Sequence, residues 1–495
     1  MRTKTLKNIG AASTLTQKTL VVLLCVGSGL IGGASLSSAE TLDEVLVRAY
    51  HENPTLNAQR TGALATRENI TRARTGYRPK VNATGDIGGY TETNRYADGS
   101  GSTLSTAPRG VGVSVNQNLF DGFRTGNSIR QAESQTREVD ATVRIVEQNT
   151  LFAAVTAYMD VVADTAILQR VRISVGSLND QLQHSRARRG FGDVTKTDVA
   201  QVESRLASAK AQENAAEANL KTSVASFRQV TGAAPAQLRS ARSIDELIPQ
   251  SLDGLVALAL QDNPAIYASS QGIESARLQA DIIRGERLPT VSLAGQLARR
   301  HDVNFRRDEQ DSAAVVARIS IPLYDGGDIT ARAAQAKHVE RQRSFEASAV
   351  RDQVQAAAAA GWSQYQAARE KVGNQQLQLK AAKTALDGIR EQWALGDRTT
   401  REVLDAEQEF LTAEVGLIVA ERDRIVASYL IAKVIGRLTL ADLNGISLAS
   451  ARDTIFSSAT ATNPLRHAKK ETRQGCCRPS GKRFSQGWSL RLTTR

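Results

Sequence analysis

The chain of 495 residues contains itself twice, and this limits its fold more than any single motif does. Leu42-Asp43, Asn53-Pro54 and Pro79 recur as Leu252-Asp253, Asn263-Pro264 and Pro289, each 210 residues later. Phe120-Asp121-Gly122 and Phe191-Gly192-Asp193 return as Tyr324-Asp325-Gly326 and Leu395-Gly396-Asp397, now 204 residues later. The offset changes once, so the first copy carries six extra residues between Pro79 and Phe120. A solenoid unit is roughly 20–50 residues long, so a period near 200 residues marks a duplicated half-molecule instead.

Proline is absent between Pro108 and Pro235 and again between Pro322 and Pro464. Those gaps hold apolar residues at three- and four-residue spacing, such as Val139, Val143, Val146, Phe152, Val155, Tyr158 and Val162. This is the period of an amphipathic helix with a narrow buried seam. The pattern predicts long helices over 122–190 and 326–395, each on the order of 100 Å at 1.5 Å per residue. Helices of that length have no compact core to lie on and require coiled-coil-like packing. Each reverses at a Gly-containing turn, Arg189–Asp193 or Leu395–Arg398, and helical patterns resume over 197–230 and 400–438. A further helix opens each half, over 41–75 and 252–286, and the Asn-Pro step should break it.

Between opening and long helices the period changes from 3.6 to 2. Val81, Ala83 and Ile87, then Val111, Val113 and Val115, alternate with polar or small residues in the first half. Val291, Leu293 and Leu297, then Val315, Ala317, Ile319 and Ile321, do so in the second. Segments of about ten residues, apolar on one face only, suit a transmembrane β-barrel, and they equally suit a soluble sheet packed on helices. The connecting stretches near 96–109 and 299–311 read as polar loops. Four strands cannot close a barrel, because small barrels need about eight. Membrane-spanning strands would therefore have to be pooled from several copies.

The formal net charge of +12 resides outside the body. Residues 1–39 hold four basic and no acidic side chains, the tail 452–495 holds ten basic and two acidic, and 40–451 is neutral. This argues against nucleic acid as a partner, which needs its positive charge on the folded surface. Lys4, Lys7 and Lys18, an apolar run from Leu20 to Leu36, and Ser37-Ser38-Ala39 read as a secretory signal. After Glu40 no run of about 18 consecutive apolar residues suggests a transmembrane helix. Cysteine is confined to Cys25 in the signal and to Cys476 and Cys477 in the tail, so the body does not depend on disulfides. The expected organisation is a signal peptide 1–39, a first repeat 40–250, a second repeat 251–451, and a basic tail 452–495 whose composition predicts disorder.

The duplicated order of helix, two strands and two helices resembles the TolC-like outer-membrane factors of Gram-negative bacteria, over roughly 40–447. The most specific parts are the paired Asn-Pro steps, Phe-Asp-Gly and Tyr-Asp-Gly, and the tips FGDVTKTDVAQVE and LGDRTTREVLDAEQE. The resemblance implies an α+β membrane protein: a homotrimer with a transmembrane β-barrel of four strands per protomer and a long α-helical tunnel in the periplasm. Its implied role is an outer-membrane exit duct for tripartite efflux pumps, type I protein secretion or both. Its implied partners are a periplasmic adaptor, an inner-membrane transporter and outer-membrane lipid. Positions matching the family's gate are Thr197, Asp198, Trp393, Arg398, Glu402 and Asp405. Trp393 stands where the family often has tyrosine, and Glu402 where it often has aspartate. Glu421 and Arg422 are candidates for a further gate cation. Phe191, Gly192, Asp193, Leu395, Gly396 and Asp397 match adaptor-docking tips, and Asp193 and Asp397 could also be helix caps.

The alternative is a periplasmic coiled-coil adaptor or scaffold without a pore, which would have no use for apolar-faced strands in both halves. No catalytic constellation is visible: the five histidines (His51, His184, His301, His338, His467) form no metal-spaced pair. No metal or cofactor is expected, and the chain reads as a non-enzyme.

Overall fold

The computed structural model describes residues 40–305 and 307–442. The expected signal 1–39 and tail 452–495, with all three cysteines and His467, lie outside the described residues. The described residues form two compact units, one from 40–53, 153–244 and 367–426, the other from 54–152, 245–366 and 427–442. Each unit draws on both sequence repeats.

Every opening helix is divided at its Asn-Pro step. Helix α1 (Leu42–Glu52) gives way to α2 (Pro54–Arg74), and α5 (Leu252–Asp262) to α6 (Pro264–Gly285). Proline at the first helical position lacks only an N–H that would have no partner there. The asparagine does more than precede it. The Asn53 side-chain amide donates to the Val230 carbonyl at 3.0 Å, and that of Asn263 donates to the Val434 carbonyl at 2.8 Å. These carbonyls end α4 (Lys196–Thr231) and α8 (Thr400–Ile435). Each Asn-Pro thus stops one helix and caps the end of another, satisfying a carbonyl that has no intrahelical donor.

The long helices are α3 (Arg124–Gly190) and α7 (Asp328–Ala394), each of 67 residues. One window of α3 is apolar enough to cross a bilayer, but half of it is buried within the fold. Tyr158 in α3 is fully buried and donates to the carbonyls of Glu40 and Arg239. That places Glu40, the first described residue, and Arg239 against α3. Desolvation pushes the Tyr158 hydroxyl up to about 12, so it stays a donor at any physiological pH.

The sheet strands are β1 (Lys80–Ile87), β4 (Arg109–Phe120), β5 (Thr290–His301) and β6 (Glu309–Ser320), antiparallel in the order β1-β4-β5-β6. Two further strands, β2 (Tyr90–Arg95) and β3 (Gly101–Thr106), form a separate ladder. The stretch 96–109 expected as a loop is therefore largely hairpin. Its strands were hidden because Ser, Thr and Gly replace the apolar alternation. Likewise the second turn is shorter than expected, since β5 runs to His301 and β6 starts at Glu309.

Register aligns most of the large apolar residues of the four strands on one face, with Val316 opposite Ala294 on the other. Ala83 lies opposite Val113, Val113 opposite Leu297, and Leu297 opposite Ala313. The neighbouring row is Val81, Val115, Gly295 and Val315. The other face carries Thr84, Gly112, Ala298 and Ser312, then Asn82, Ser114, Gln296 and Ala314. Among the described residues nothing covers this apolar face: Val111 is 66% exposed, Leu297 63% and Val315 77%. A soluble sheet packed on helices would bury this face, so the packed-sheet alternative fails.

Strand gives way to helix through the Asp-Gly pairs. Asp121 accepts from the Thr125 backbone N–H at 2.8 Å, and Asp325 accepts from that of Ile329 at 2.7 Å. Each aspartate thus caps the first turn of a 67-residue helix. Gly122 and Gly326 take φ of +69° and +67°. At Gly122 an added Cβ would lie 2.2 Å from the Gly285 carbonyl oxygen. Gly122→Ala should therefore cost at least about 1–2 kcal/mol from the left-handed backbone alone, with the clash added. Thermal unfolding followed by circular dichroism should show Gly122→Ala well below Gly326→Ala, whose Cβ would meet nothing within 4 Å.

Candidate functional site

The two helical hairpins end in turns that share the same pair of backbone closures. After α3 the Gly192 N–H donates to Arg189 and the Asp193 N–H to Arg188, both at 3.1 Å. After α7 the Gly396 N–H donates to Trp393 at 3.0 Å and the Asp397 N–H to Gln392 at 2.9 Å. This paired closure requires a left-handed residue, and Gly192 and Gly396 supply φ of +87° and +89°. Phe191 and Leu395, just before these glycines, are 84% and 79% exposed. Each tip therefore presents one large apolar side chain to solvent.

The return helices start with capping boxes, and these overturn the reading of Asp193 and Asp397 as caps. Thr195 accepts from the Asp198 N–H at 3.2 Å, while Asp198 accepts from the Thr195 N–H at 2.9 Å. Thr399 and Glu402 do the same at 3.4 and 2.8 Å. The signature is Gly-Asp-x-Thr-x-x-acid in both repeats, and its threonine was the missed signal. Thr197 occupies the first turn of α4 beside Asp198.

The acidic gate candidates therefore have local structural roles. Asp198 is lowered from the usual carboxylate range by its Thr195 hydrogen bonds. Glu402 is held at about 2, by the Thr399 N–H first and then by the Arg398 guanidinium at 2.8 Å. Arg398 also donates to Gln392 at 2.9 Å. It thereby ties the start of α8 to the end of α7.

Near the tips, contacts that join one hairpin to the other within the protomer include an ion pair and a cation–π arrangement. Arg205 of α4 pairs with Asp405 of α8. Arg188 of α3 lies over the Trp393 ring of α7 at 5.6 Å, a cation–π arrangement. Arg401 approaches Asp405 at 3.8 Å. Within each hairpin an equivalent ion pair recurs: Arg186–Glu203 at 2.8 Å and Arg390–Glu407 at 2.7 Å. Arg422 does not serve the tips. It pairs with Asp160 of α3 at 2.6 Å and with Asp423, which Lys371 contacts at 3.1 Å. The structure thus gathers Trp393, Arg398, Glu402 and Asp405 around one hairpin junction, and it gives Asp198 and Thr197 to the α4 start. Among the described residues no group of three His, Cys, Asp or Glu side chains could hold a metal ion.

A sheet with one uncovered apolar face, joined to paired helical hairpins by capped turns, defines the outer-membrane duct class of protein. The model of the outer membrane efflux protein family matches residues 45–233 and again 255–437. The outer membrane efflux protein BepC of Brucella suis biovar 1 is 36% identical over 429 residues, 86% of this chain and 91% of its own. The outer membrane protein TolC of Escherichia coli is 24% identical over 457 residues, 89% and 90% of the two chains. The outer membrane protein VceC of Vibrio cholerae shares the fold with a TM-score of 0.69 at 15% identity, over 80% of this chain and 96% of its own. The chain belongs to the outer membrane efflux protein family. It is an outer-membrane exit duct with its helical part in the periplasm, in a family of channels rather than enzymes. The scaffold without a pore is set aside.

The capping box sets an acid limit for the tips. Glu402 titrates lower in the fold than in the open chain, so its contribution is complete above the ordinary carboxylate range and is lost as pH falls toward about 2. Hydrogen exchange of the first amides of α8 should stay protected at about pH 4 and open as the pH drops below about 3. Thr399→Ala should remove that protection at neutral pH, with a local cost of about 1 kcal/mol.

Proposed function

We propose that three copies of this chain pool their four-stranded sheets into one closed barrel and that the hairpin tips shut its periplasmic end. The observation that carries this reading is the sheet itself. Among the described residues strands β1 and β6 each have an unpaired edge, and the rows led by Ala83 and Val81 are apolar across all four strands on an exposed face. Open edges are not tolerated in a bilayer, where every backbone polar group must find a partner. Three sheets make twelve strands, enough to close a barrel. The rows led by Ala83 and Val81 then face lipid, and those led by Thr84 and Asn82 face the lumen.

At the periplasmic end, the Arg205–Asp405 pair and the Arg188–Trp393 contact support a closed arrangement of the two hairpins. An exposed ion pair is worth only about 0–1 kcal/mol, so such contacts hold a state that a docked partner can overcome. The exposed Phe191 and Leu395, with their left-handed glycines and with Asp193 and Asp397, suit the docking of a periplasmic adaptor that links the duct to an inner-membrane transporter. The cargo class we assign is that of efflux, on the likeness to BepC; protein export through the same duct is compatible with this geometry.

Two measurements test the reading. Native mass spectrometry of the detergent-purified protein should give the mass of three chains, and a monomer or dimer would overturn the pooled barrel. In planar bilayers the parent should show small, long-lived openings, and Asp405→Arg should enlarge them several-fold by turning the Arg205 pair into a repulsion. Openings indifferent to that charge reversal would remove Asp405 from the gate.

A further inference from the structure

Beyond the ionic contacts, the tip region holds an apolar one that neither the repeat pattern nor the family resemblance singled out. A cluster of buried residues fills the space between α3 and α4 in the first hairpin: Leu178, Leu182, Val199, Val202, Leu206 and Ala209. One further member comes from the other hairpin. Leu404 of α8, only 3% exposed, belongs to the same cluster.

Leu404 breaks the duplication. By the 204-residue offset Val403 matches Val199, and both are buried, at 3% and 5% exposure, as their own hairpins require. Leu404 matches Ala200, which is exposed. Where the first repeat turns a small residue to solvent, the second inserts a leucine into its neighbour. Leu404 also directly precedes Asp405, whose partner Arg205 directly precedes Leu206 of the cluster. The apolar and the ionic contact therefore lie side by side at one junction, and the hairpins cannot part there without breaking both.

We propose that Leu404 is the apolar latch of the periplasmic tip, seated in the α3–α4 cluster, and that its withdrawal accompanies opening. The proposal rests on the reading of the tips as a closed gate. Burying a leucine side chain stabilises more than an ion pair whose members are 43% and 49% exposed. Leu404, more than Arg205–Asp405, therefore sets how far the resting state lies toward closed. The division of labour is physical: the ion pair is screened by salt, whereas the leucine contact is not.

The test is single-channel recording of the purified full-length protein in planar bilayers, with Leu404→Met, Leu404→Val, Leu404→Ala and Asp405→Asn beside the parent. The thermal transition of each variant reports whether it is folded. The latch predicts open probability rising in the order Met, Val, Ala. Leu404→Met should stay near the parent because its volume is conserved, and Leu404→Ala should reach about tenfold or more. Asp405→Asn should open less than Leu404→Ala, by about threefold over the parent, and only its effect should shrink at high salt. Should Leu404→Ala fail to fold, Leu404→Val decides, with an intermediate rise expected. Parent-like behaviour of Leu404→Ala or Leu404→Val while Asp405→Asn opens would reject the latch and leave the ionic gate standing. If neither position opens the channel, the closed-tip reading falls and the latch with it.

Discussion

Everything in this molecule follows from a sheet that one chain cannot finish. Among the described residues, four antiparallel strands carry unpaired backbone at both ends of the order β1-β4-β5-β6 and an uncovered face that is apolar along the rows of Ala83 and Val81 and ends in the charged Arg299–Asp311 row. In water such a face costs about 25 cal/mol for every Å² left exposed, and the edges invite pairing with any neighbour. In a bilayer the face is favoured and the edges become intolerable. In the proposed barrel, closure with further copies meets both demands, and strand number, membrane location and oligomerisation become one constraint.

The helical body, on the proposed gating, serves the opposite purpose, an association that can be undone. Its seams are thin, filled by Ala, Val and Leu, and its interhelical contacts include many ion pairs at half-exposed positions. Duplicated devices hold the frame: Asn-Pro joints that cap the far helix, Asp-Gly turns that start the long helices, and capping boxes that start the return helices. At the tips the two repeats diverge. There Arg205–Asp405, Arg188–Trp393 and Leu404 join one hairpin to the other with no counterparts by repeat.

Much of the frame was legible from residue order alone. The long helices and the apolar strand faces are period effects, the breaks in the opening helices follow from Asn-Pro, and both signals survive in a single sequence. The β2–β3 ladder was not legible, because Thr91, Thr93, Thr103 and Ser105 pair by hydroxyl contact and backbone rather than by apolar alternation. The caps were misplaced by two residues, since an aspartate after glycine draws attention from the threonine that follows. The tip positions were legible as residues of the helical turns, but the partners that the fold gives them were not. Arg205 and Asp405 are 200 residues apart, and only the fold sets them together. Leu404 was invisible for a different reason: in an amphipathic pattern one more buried leucine looks like every other.

The most direct test of the central claim is the environment of β4, residue by residue. Single cysteines at positions 111–116, in protein whose natural cysteines are serine, would carry spin labels in lipid vesicles. Their relaxation by oxygen and by an aqueous nickel complex would then be compared. Labels at 111, 113 and 115 should respond to oxygen, and those at 112, 114 and 116 to the aqueous reagent, with a period of two. Uniform access of the aqueous reagent along the strand would mean that the apolar face does not meet lipid, and the barrel account would be wrong.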